Sequence, residues 1–324
     1  MRRFLCALAL AASAGAQVRI ARHGSERISV EVDGKPFTDF YVGSETAKPY
    51  LHPLRSASGK IVTRRYPMEN IPGENHDHPH HRGLWFTHGS VNGYDFWGNE
   101  ASQQGAGKGK GKVVLKSVDK LAGGAKSGLV ETTFAWQDPS GRTLLTEARK
   151  MVFYSNPDMR VIDFDILLRP EEKVSFGDTK EGTFAIRLAA ELEEEQPKKI
   201  PEPKRTGKMV NAQGAEGEKQ VWGKRSEWVD YFGSVEGEKL GIAILDHPRN
   251  PRHPTYWHSR AYGLFAANPF GVHDFERDAS KNGEMLMEPG RPVTFRYRVV
   301  IHAGDYRTAN VAALYKAYAS NKLR

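Results

Sequence analysis

The sequence predicts an all-β fold, a large antiparallel sandwich or barrel that carries a single C-terminal helix. About a dozen segments alternate apolar and polar residues, which is typical of strands with one buried face. Turn-forming residues separate these segments along most of the chain. Helical periodicity is confined to one segment near the C-terminus. Many strands joined by turns favour a sandwich or a barrel over other architectures.

Two hairpins are the clearest elements. Segment 27–42 turns at Asp33-Gly34, a pair that tolerates the positive φ angles of a tight turn. Segment 129–154 turns at 138–141, which contains proline and glycine. In segment 161–168 every second residue is apolar, so one face of that strand is expected to be buried. The further strand candidates are 61–66, 113–118, 183–190, 228–235, 240–245 and 293–302.

Segment 306–320 is the predicted helix. Its apolar residues recur at helical spacing and form one stripe, and Asp305 precedes it as a candidate N-cap. We expect this helix to pack on the sheets. The residues of the stripe are Val311, Leu314, Tyr315 and Tyr318.

Two segments are predicted to be long surface loops. Segment 103–112 is rich in glycine and lysine but lacks the spacing of a phosphate-binding loop, so we interpret it as a flexible, solvated hairpin tip. Segment 193–225 is charged and contains three prolines, which suits an insertion over one end of the fold or a partly disordered excursion. Neither an internal repeat nor a linker divides the chain, so 17–324 is expected to form one domain.

The first sixteen residues are typical of a signal peptide. A basic start is followed by an apolar core too short to cross a bilayer and by the small-residue motif Ala14-Gly15-Ala16. Cleavage would leave Gln17 as the N-terminus and would place the protein in the periplasm or outside the cell. The single cysteine, Cys6, would be removed, which excludes thiolate nucleophiles and metal–thiolate sites from the mature chain.

The chain is basic, with a formal net charge of +8. A positive balance favours anionic partners, but the charges are spread along the sequence and an exported protein rarely meets nucleic acid. We therefore expect no nucleic-acid partner, with attraction to acidic polysaccharides as a weaker effect. After the first sixteen residues the sequence contains no apolar run of the roughly 20 residues that a membrane helix needs. The sequence leaves the oligomeric state open.

Histidines are concentrated between residues 76 and 88. Imidazole is a common metal ligand and titrates near neutral pH. Pro79 excludes a regular helix and biases His78 towards extended backbone, in which alternate residues share one side. Three imidazoles on one side could hold a divalent metal ion and leave a position open for water or substrate. These predicted ligands are His76, His78 and His80. Saccharide binding without a metal and purely structural hydrogen bonding are the alternatives.

Aromatic and polar residues follow the histidines directly. Trp85 and Trp97 offer flat faces on which a sugar ring could stack, and Asn92 and Asp95 could bond hydroxyl groups. Burial in the core is the alternative for the aromatic residues.

Three later segments add ionisable residues. Lys180 and Glu181 precede a predicted strand, Asp230 lies within another, and His258 and Arg260 follow a third. A carboxylate facing an imidazole can support general acid–base catalysis. Each of these residues could instead be structural, as a solvated ion pair or a hydrogen-bonding group at the end of a strand.

Four stretches of the chain resemble the PmoA-like family of exported bacterial proteins. They are HDHPHHRGLWFTHGSVNGYDFW, TKEGTFAIR, WVDYFG and HPTYWHSRAYGLFAANPFG. The resemblance implies a β-sandwich like that of the galactose mutarotase-type sugar enzymes and a role in carbohydrate breakdown. The family is named after a methane monooxygenase subunit, but that activity would require membrane spans, which this sequence lacks after its first segment.

The sequence therefore predicts an exported carbohydrate-active protein that works by acid–base chemistry, with or without a divalent metal ion. Lyase, epimerase and hydrolase activities all stay open. The alternatives are a non-catalytic glycan-binding or envelope protein and, more weakly, an oxidoreductase with bound copper or iron. The predicted catalytic residues are His81, Glu181, Asp230 and His258, and the predicted substrate-binding residues are Arg82, Trp85, Asn92, Asp95, Trp97, Lys180 and Arg260. The enzyme hypothesis requires the histidine segment and His258 to share one cleft.

Overall fold

Two antiparallel sheets pack face to face in the computed structural model, which describes residues 17–105 and 107–320. The predicted signal peptide lies outside the described residues. The nine-stranded sheet has the spatial order β1 (Val18–His23), β2 (Arg27–Val32), β3 (Lys35–Tyr41), β4 (Tyr50–His52), β5 (Leu84–His88), β11 (Gly182–Arg187), β17 (Leu264–Asn268), β16 (Thr255–Ser259) and β13 (Arg225–Ser226).

The second large sheet has eight strands. Its spatial order is β12 (Lys208–Asn211), β14 (Trp228–Val235), β15 (Glu238–Asp246), β19 (Val293–Ala303), β9 (Arg160–Pro170), β8 (Thr143–Tyr154), β7 (Ser127–Gln137) and β6 (Lys112–Ala122). The remaining elements are a small sheet of β10 (Val174–Phe176) and β18 (Met285–Met287), and the helices α1 (Glu218–Val221), α2 (Val272–Glu276) and α3 (Val311–Ala319). The prediction of an all-β sandwich with a C-terminal helix is confirmed.

The core lies between the two large sheets because alternate residues of each strand face inwards. In β9 the residues Ile162, Phe164, Ile166 and Leu168 are buried while their neighbours are partly exposed, as the alternation predicts. Phe86 and Phe184 face them from the nine-stranded sheet. The opposite, outer face of each sheet carries a smaller buried apolar cluster together with polar residues, and a functional site can lie on such a face.

Segment 61–66 is not a strand, so that prediction is wrong. It makes only the isolated bridges Arg55–Ile61 and Thr63–Leu188. The reason is the buried carboxylate of Glu74, which accepts hydrogen bonds from the backbone N–H groups of Arg65 and Tyr66. Those N–H groups are therefore not available for pairing with a strand.

The C-terminal helix begins later than predicted. Asn310 is its N-cap and accepts a hydrogen bond from the backbone N–H of Ala313. Asp305 instead closes the preceding turn by accepting from the N–H groups of Arg307 and Thr308. None of the helices in the described residues is long and apolar enough to cross a membrane.

Both predicted surface loops pack on the fold. Around residue 106, which is not described, the 103–112 segment lies along the preceding turn: Asp95 N–H donates to the Gly109 carbonyl and Gly111 N–H to the Asp95 carbonyl, both at 2.8 Å. Gln104, Gly105, Gly107 and Lys108 are exposed, as predicted for a solvated segment, but these hydrogen bonds show that it is not a free hairpin tip. Segment 193–225 contains β12 and α1 and covers part of the outer face of the nine-stranded sheet.

Candidate active site

Four neighbouring strands position the site on the outer face of the nine-stranded sheet. Trp85 of β5 lies opposite Ala185 of β11, which lies opposite Ala266 of β17, which lies opposite His258 of β16. These residues form one row across the sheet, so the histidine-rich segment and His258 reach the same face. The two therefore lie on one face of one sheet, whereas the shared cleft that the enzyme hypothesis requires stays a prediction.

The histidine segment forms a turn rather than an extended strand, which corrects the sequence prediction. His78 adopts a left-handed conformation with φ of 42°, and the His81 N–H donates to its carbonyl at 3.0 Å. Arg64 causes this curvature, because its guanidinium donates to the carbonyls of Asn75 and His78 and to the Asp77 carboxylate. The chain curls around one buried cation.

Of the three predicted metal ligands, the His78 and His80 rings lie 5.6 Å apart, but His76 does not join them. The His76 ring stacks on Tyr66 at 4.6 Å, the His78 ring stacks on His81 at 4.7 Å, and the Nδ1 atom of His80 lies 2.7 Å from the Gln103 amide. Within residues 17–105 and 107–320, no group of three or more histidine or carboxylate side chains has the arrangement of a metal site. The side chains present therefore do not fit the predicted ion.

The hydrogen bond of His81 fixes its tautomer. Its Nδ1 lies 3.2 Å from the guanidinium of Arg187, which can only donate, so Nδ1 accepts and the ring proton is on Nε2. Burial lowers the pKa of His81 well below its ordinary value, and the neighbouring His80 and Arg187 lower it further. His81 is therefore a neutral N–H donor.

His258 is fixed in the same way. The indole Nε1–H of Trp222, also an obligate donor, lies 2.9 Å from His258 Nδ1 and leaves the ring proton on Nε2. Burial lowers the pKa of His258 to about 3, with further lowering by Arg260, Lys180 and His78. A ring nitrogen that carries a proton cannot ligate a metal or accept a proton. Nε2 of each ring can therefore act only as a hydrogen-bond donor.

Several buried polar atoms beside His81 have no hydrogen-bond partner in the described part of the chain. They are Nε2 of His81, Nε1 of Trp85 and Trp97, and the hydroxyls of Thr87 and Thr183. The rings of His81, Trp85 and Trp97 lie within 5.8 Å of one another, and the two threonines are opposite each other on β5 and β11. Buried donors without partners cost free energy, and their concentration in one place points to ligand binding.

Trp85 and Trp97 do not form the predicted open platform for a sugar ring. They are 0% and 2% exposed, and His81 covers Trp85 at 5.2 Å. What these residues present to a ligand is the indole N–H, not the ring face.

Partly exposed side chains surround the buried histidines. The His78 ring stacks on Tyr262 at 5.4 Å, and the Arg260 guanidinium lies over the same ring at 5.5 Å. Burial raises the pKa of Tyr262 to about 12. The charge of Glu181 adds to this rise, and the guanidinium groups of Arg187 and Arg260 oppose it.

Glu181 is the accessible carboxylate of this rim. Its side chain is 38% exposed and lies 3.4 Å from Lys180 Nζ. Lys180 is close enough to His258 for its charge to lower the pKa of that ring, and Glu181 is close enough to Tyr262 to raise its pKa. Glu181 and His258 therefore lie near the rim that contains Tyr262 and His78, and the His78 ring stacks on His81.

Asp230 lies elsewhere, so its predicted role at this site is wrong. It is on the outer face of the eight-stranded sheet, beneath α3, and is 0% exposed. Its carboxylate accepts a hydrogen bond from His302 Nε2 at 3.0 Å. Both sheets separate this pair from His258.

Three predicted substrate-binding residues are engaged within the protein. The Asn92 amide bonds the Ser175 backbone and Glu172. Asp95 accepts from the N–H groups of Trp97 and Gly98 and so positions Trp97. Arg82 pairs with Glu100 at 2.8 Å but keeps a partly exposed side chain.

The structure places a buried lysine, Lys48, beside the site, and no sequence pattern indicates this. Lys48 is 0% exposed, and its Nζ donates to the carbonyl of Trp97 and to Asn99 at 2.8 and 2.9 Å. Burial lowers its pKa to about 8, although Glu100 opposes this. It is a single lysine between alanine and proline, with no pattern to indicate burial.

A buried ion network supports the histidine turn. Arg187, at the end of β11, contacts Asp77 at 3.1 Å and Glu193 at 3.7 Å. Arg205 pairs with Glu193 at 3.1 Å and donates to the Gly73 carbonyl at 2.7 Å. Glu193 and Arg205 therefore connect segment 193–206 to the residues that hold the histidine turn.

A family model supplies the relationship of the chain to known sequences. The model of the family of unknown function DUF6807 matches residues 27–316. The chain belongs to this family. No curated protein matches it. The resemblance to the PmoA-like family stays a prediction.

Solved structures with a similar fold share little sequence with the DUF6807 chain. The galactosidase domain of the alpha-galactosidase–sucrose kinase AgaSK has 7% identity and a TM-score of 0.45, over 88% of this chain and 42% of that one. A galactose mutarotase related enzyme from Lactobacillus acidophilus has 8% identity and a TM-score of 0.31, over 88% and 97%. A polysaccharide lyase has 12% identity and a TM-score of 0.32, over 91% and 34%. The chain spans about two fifths of the galactosidase chain, and the likeness concerns the fold.

Proposed function

We propose that this protein is an exported carbohydrate-active enzyme that moves a proton at a carbon atom of a saccharide, as an epimerase or a lyase. The observation that carries the proposal is the pairing of two neutral imidazoles, fixed as N–H donors by Arg187 and Trp222, with an accessible carboxylate on the same sheet face.

Glu181 is the base in this proposal. Its carboxylate takes a proton from a carbon next to a carbonyl or carboxyl group, and the bonding electrons move onto the oxygen. His81 and His258 stabilise the negative charge that develops there by donating from Nε2, as neutral imidazole does in other proton-transfer enzymes. Epimerisation is completed when water returns a proton to the opposite face of the carbon. In elimination, the bond to the oxygen on the next carbon breaks as the carbon–carbon double bond forms, and that oxygen takes the proton from Glu181. Lys180 and Arg260 bind substrate hydroxyls at the rim.

The positions of the carboxylates favour these reactions over hydrolysis. Glycoside hydrolysis generally uses two carboxyl groups that flank the scissile bond. Near the rim Glu181 has one ion-pair partner, the partly exposed Lys180, whereas Asp77 is held by the two buried cations Arg64 and Arg187. Glu218 is held by Arg260. No step is assigned to a metal ion, since the histidine nitrogens that face the site carry protons.

Solvent isotope exchange tests the proposal. Purified protein is incubated in deuterium oxide with a panel of sugars, and proton NMR follows the loss of carbon-bound protons and the formation of unsaturated products. We expect exchange or elimination, reduced roughly 100- to 10,000-fold in Glu181→Gln, as for other general bases. Glu288→Gln, in the exposed ion pair with Lys173 at 3.6 Å, is the matched control. Binding of a sugar without exchange would favour the glycan-binding alternative and contradict the proposal.

A further inference from the structure

The buried part of the site, beneath the histidine turn, offers hydrogen-bond donors that cannot accept. An indole N–H only donates, and the proton on His81 Nε2 makes that atom a donor as well. A sugar hydroxyl bound by such groups would leave its own proton without an acceptor. An ionised carboxylate only accepts, so it matches this surface completely.

Cations stand beside these donors. Lys48 Nζ lies 4.0 Å from Glu100, which Arg82 also holds at 2.8 Å, so the two cations share this carboxylate. Asp95 is the other acid near Lys48, and its Oδ1 is engaged by two backbone N–H groups. The unpartnered acceptors nearby are Oε1 of Glu100 and Oε1 of Gln103. The three unpartnered donors, on His81, Trp85 and Trp97, outnumber these two acceptors, and the two cations balance the two acids.

We propose that the substrate is a uronic acid unit, whose carboxylate binds to Trp97, Trp85 and His81 beside Lys48. This inference rests on the proposed function and specifies it. The carbon next to a uronate carboxyl group is the one whose proton becomes acidic when that group is held by donors, and the resulting negative charge falls on the oxygens that His81 would bind. The His78 ring covers His81 and is 41% exposed, so it has to rotate for the carboxylate to enter.

Titration calorimetry tests the inference directly. The ligands are glucuronic, galacturonic and mannuronic acids, their methyl esters, and glucose, galactose and mannose. We expect at least one uronic acid to bind about 10-fold or more tightly than its ester and its neutral hexose, because hydrogen bonds to charged groups are the stronger class. Equal affinity for a uronic acid and its neutral hexose, or no binding of any uronic acid, would overturn the inference.

Two variants locate the carboxylate. Trp97→Phe removes one donor and Lys48→Met removes one charge, and each should weaken uronic acid binding about 10-fold while the neutral hexose is unaffected. The matched controls are Trp228→Phe, on the other sheet, and Lys60→Met, which makes the same change in net charge in an exposed ion pair. If Trp97→Phe fails to fold, Lys48→Met still tests the location. A variant that weakens uronic acid binding no more than its control does would refute the location of the carboxylate.

The isotope experiment separates this inference from the function on which it rests. Uronic acid binding without proton exchange would leave the carboxylate site in place and remove the proposed chemistry. Exchange on neutral hexoses alone would keep the chemistry and remove the uronate.

Discussion

Hydrogen-bond partners and burial, rather than a change of protonation near neutral pH, determine the chemical role of the histidines in this site. Arg187 and Trp222 each present a donor to Nδ1, and burial keeps both rings neutral. The result is a pair of permanent N–H donors. A histidine-rich segment can therefore serve anionic or carbonyl oxygens instead of a metal ion.

Removing the Trp222 donor should release the ring of His258. In Trp222→Phe the Nδ1 acceptor loses its partner, so both neutral tautomers become populated. Nitrogen-15 NMR of labelled histidine should show the protonated Nε2 alone in the wild type and a mixture in the variant, and kcat should fall about 10-fold or more if the donor stabilises the transition state. Trp228→Phe is the control. A variant that keeps the single tautomer would contradict the role given to Trp222.

The buried His88 predicts how stability depends on pH. Burial lowers its pKa to about 4, although its hydrogen bond to the Gly177 carbonyl opposes this. The unfolded chain takes up the proton near pH 6.5 and the folded chain does not, so acid favours unfolding between about pH 6.5 and 4. As the pH falls through that window, the free energy of unfolding should decrease in the wild type by about 1.4 kcal/mol more per pH unit than in His88→Gln. Urea denaturation at pH 7 and pH 5 measures this. The exposed His23→Gln should retain the wild-type slope.

The location of the site could be predicted from the sequence, but its chemistry could not. The density of histidines identified the 76–88 segment, and the structure places His258 on the same sheet face. The groups that fix the tautomers lie 106 residues from His81 and 36 from His258, and nothing local in the sequence connects them. Asp230 was misassigned because an acid on a strand is compatible with either sheet.

At the level of single elements, the start of α3 combines two requirements at Asn310. Its side chain caps the helix, and its backbone is left-handed with φ of 51°. Asn310→Ala loses the cap and strains the backbone, whereas Asn310→Gly loses only the cap. We expect the free energy of unfolding to fall by about 1–2 kcal/mol in the alanine variant and by a few tenths in the glycine variant. Thermal or urea denaturation compares them, and equal losses would show that the backbone angle is unimportant.

Most strands follow from alternation, since a two-residue period on a sheet face is a local property. The hairpins around Asp33-Gly34 and 138–141 formed as predicted. Segment 61–66 failed because a distant carboxylate, Glu74, takes the N–H groups that a neighbouring strand would have used. Long-range side-chain bonds to the backbone have no periodic signal.

Across the whole molecule, the two outer faces carry separate polar clusters. Burial lowers the pKa of His302, but its hydrogen bond and charge pairing with Asp230 outweigh this and raise it. Asp230→Asn should lower stability by about 3–5 kcal/mol, as expected for a broken buried pair. The loss should be full below the unfolded pKa near 6.5 and should shrink as the pH rises through the folded value.

The same variant should leave kcat/KM of the folded protein unchanged, in contrast to Glu181→Gln. Denaturation curves at pH 6 and pH 8, together with activity per folded molecule, test both statements. A large loss of activity in Asp230→Asn without loss of structure would restore Asp230 to the catalytic machinery.

The ion pairs of residues 193–206 have an evolutionary consequence. Glu193 pairs with Arg205 within this segment and with Arg187 outside it, so deletion of the segment would leave the buried Arg187 with Asp77 as its remaining carboxylate partner. Relatives that lack the segment should also have replaced the arginine at position 187, and with it the histidine pattern that depends on it. Among relatives, the absence of segment 193–206 and the replacement of Arg187 should therefore occur together.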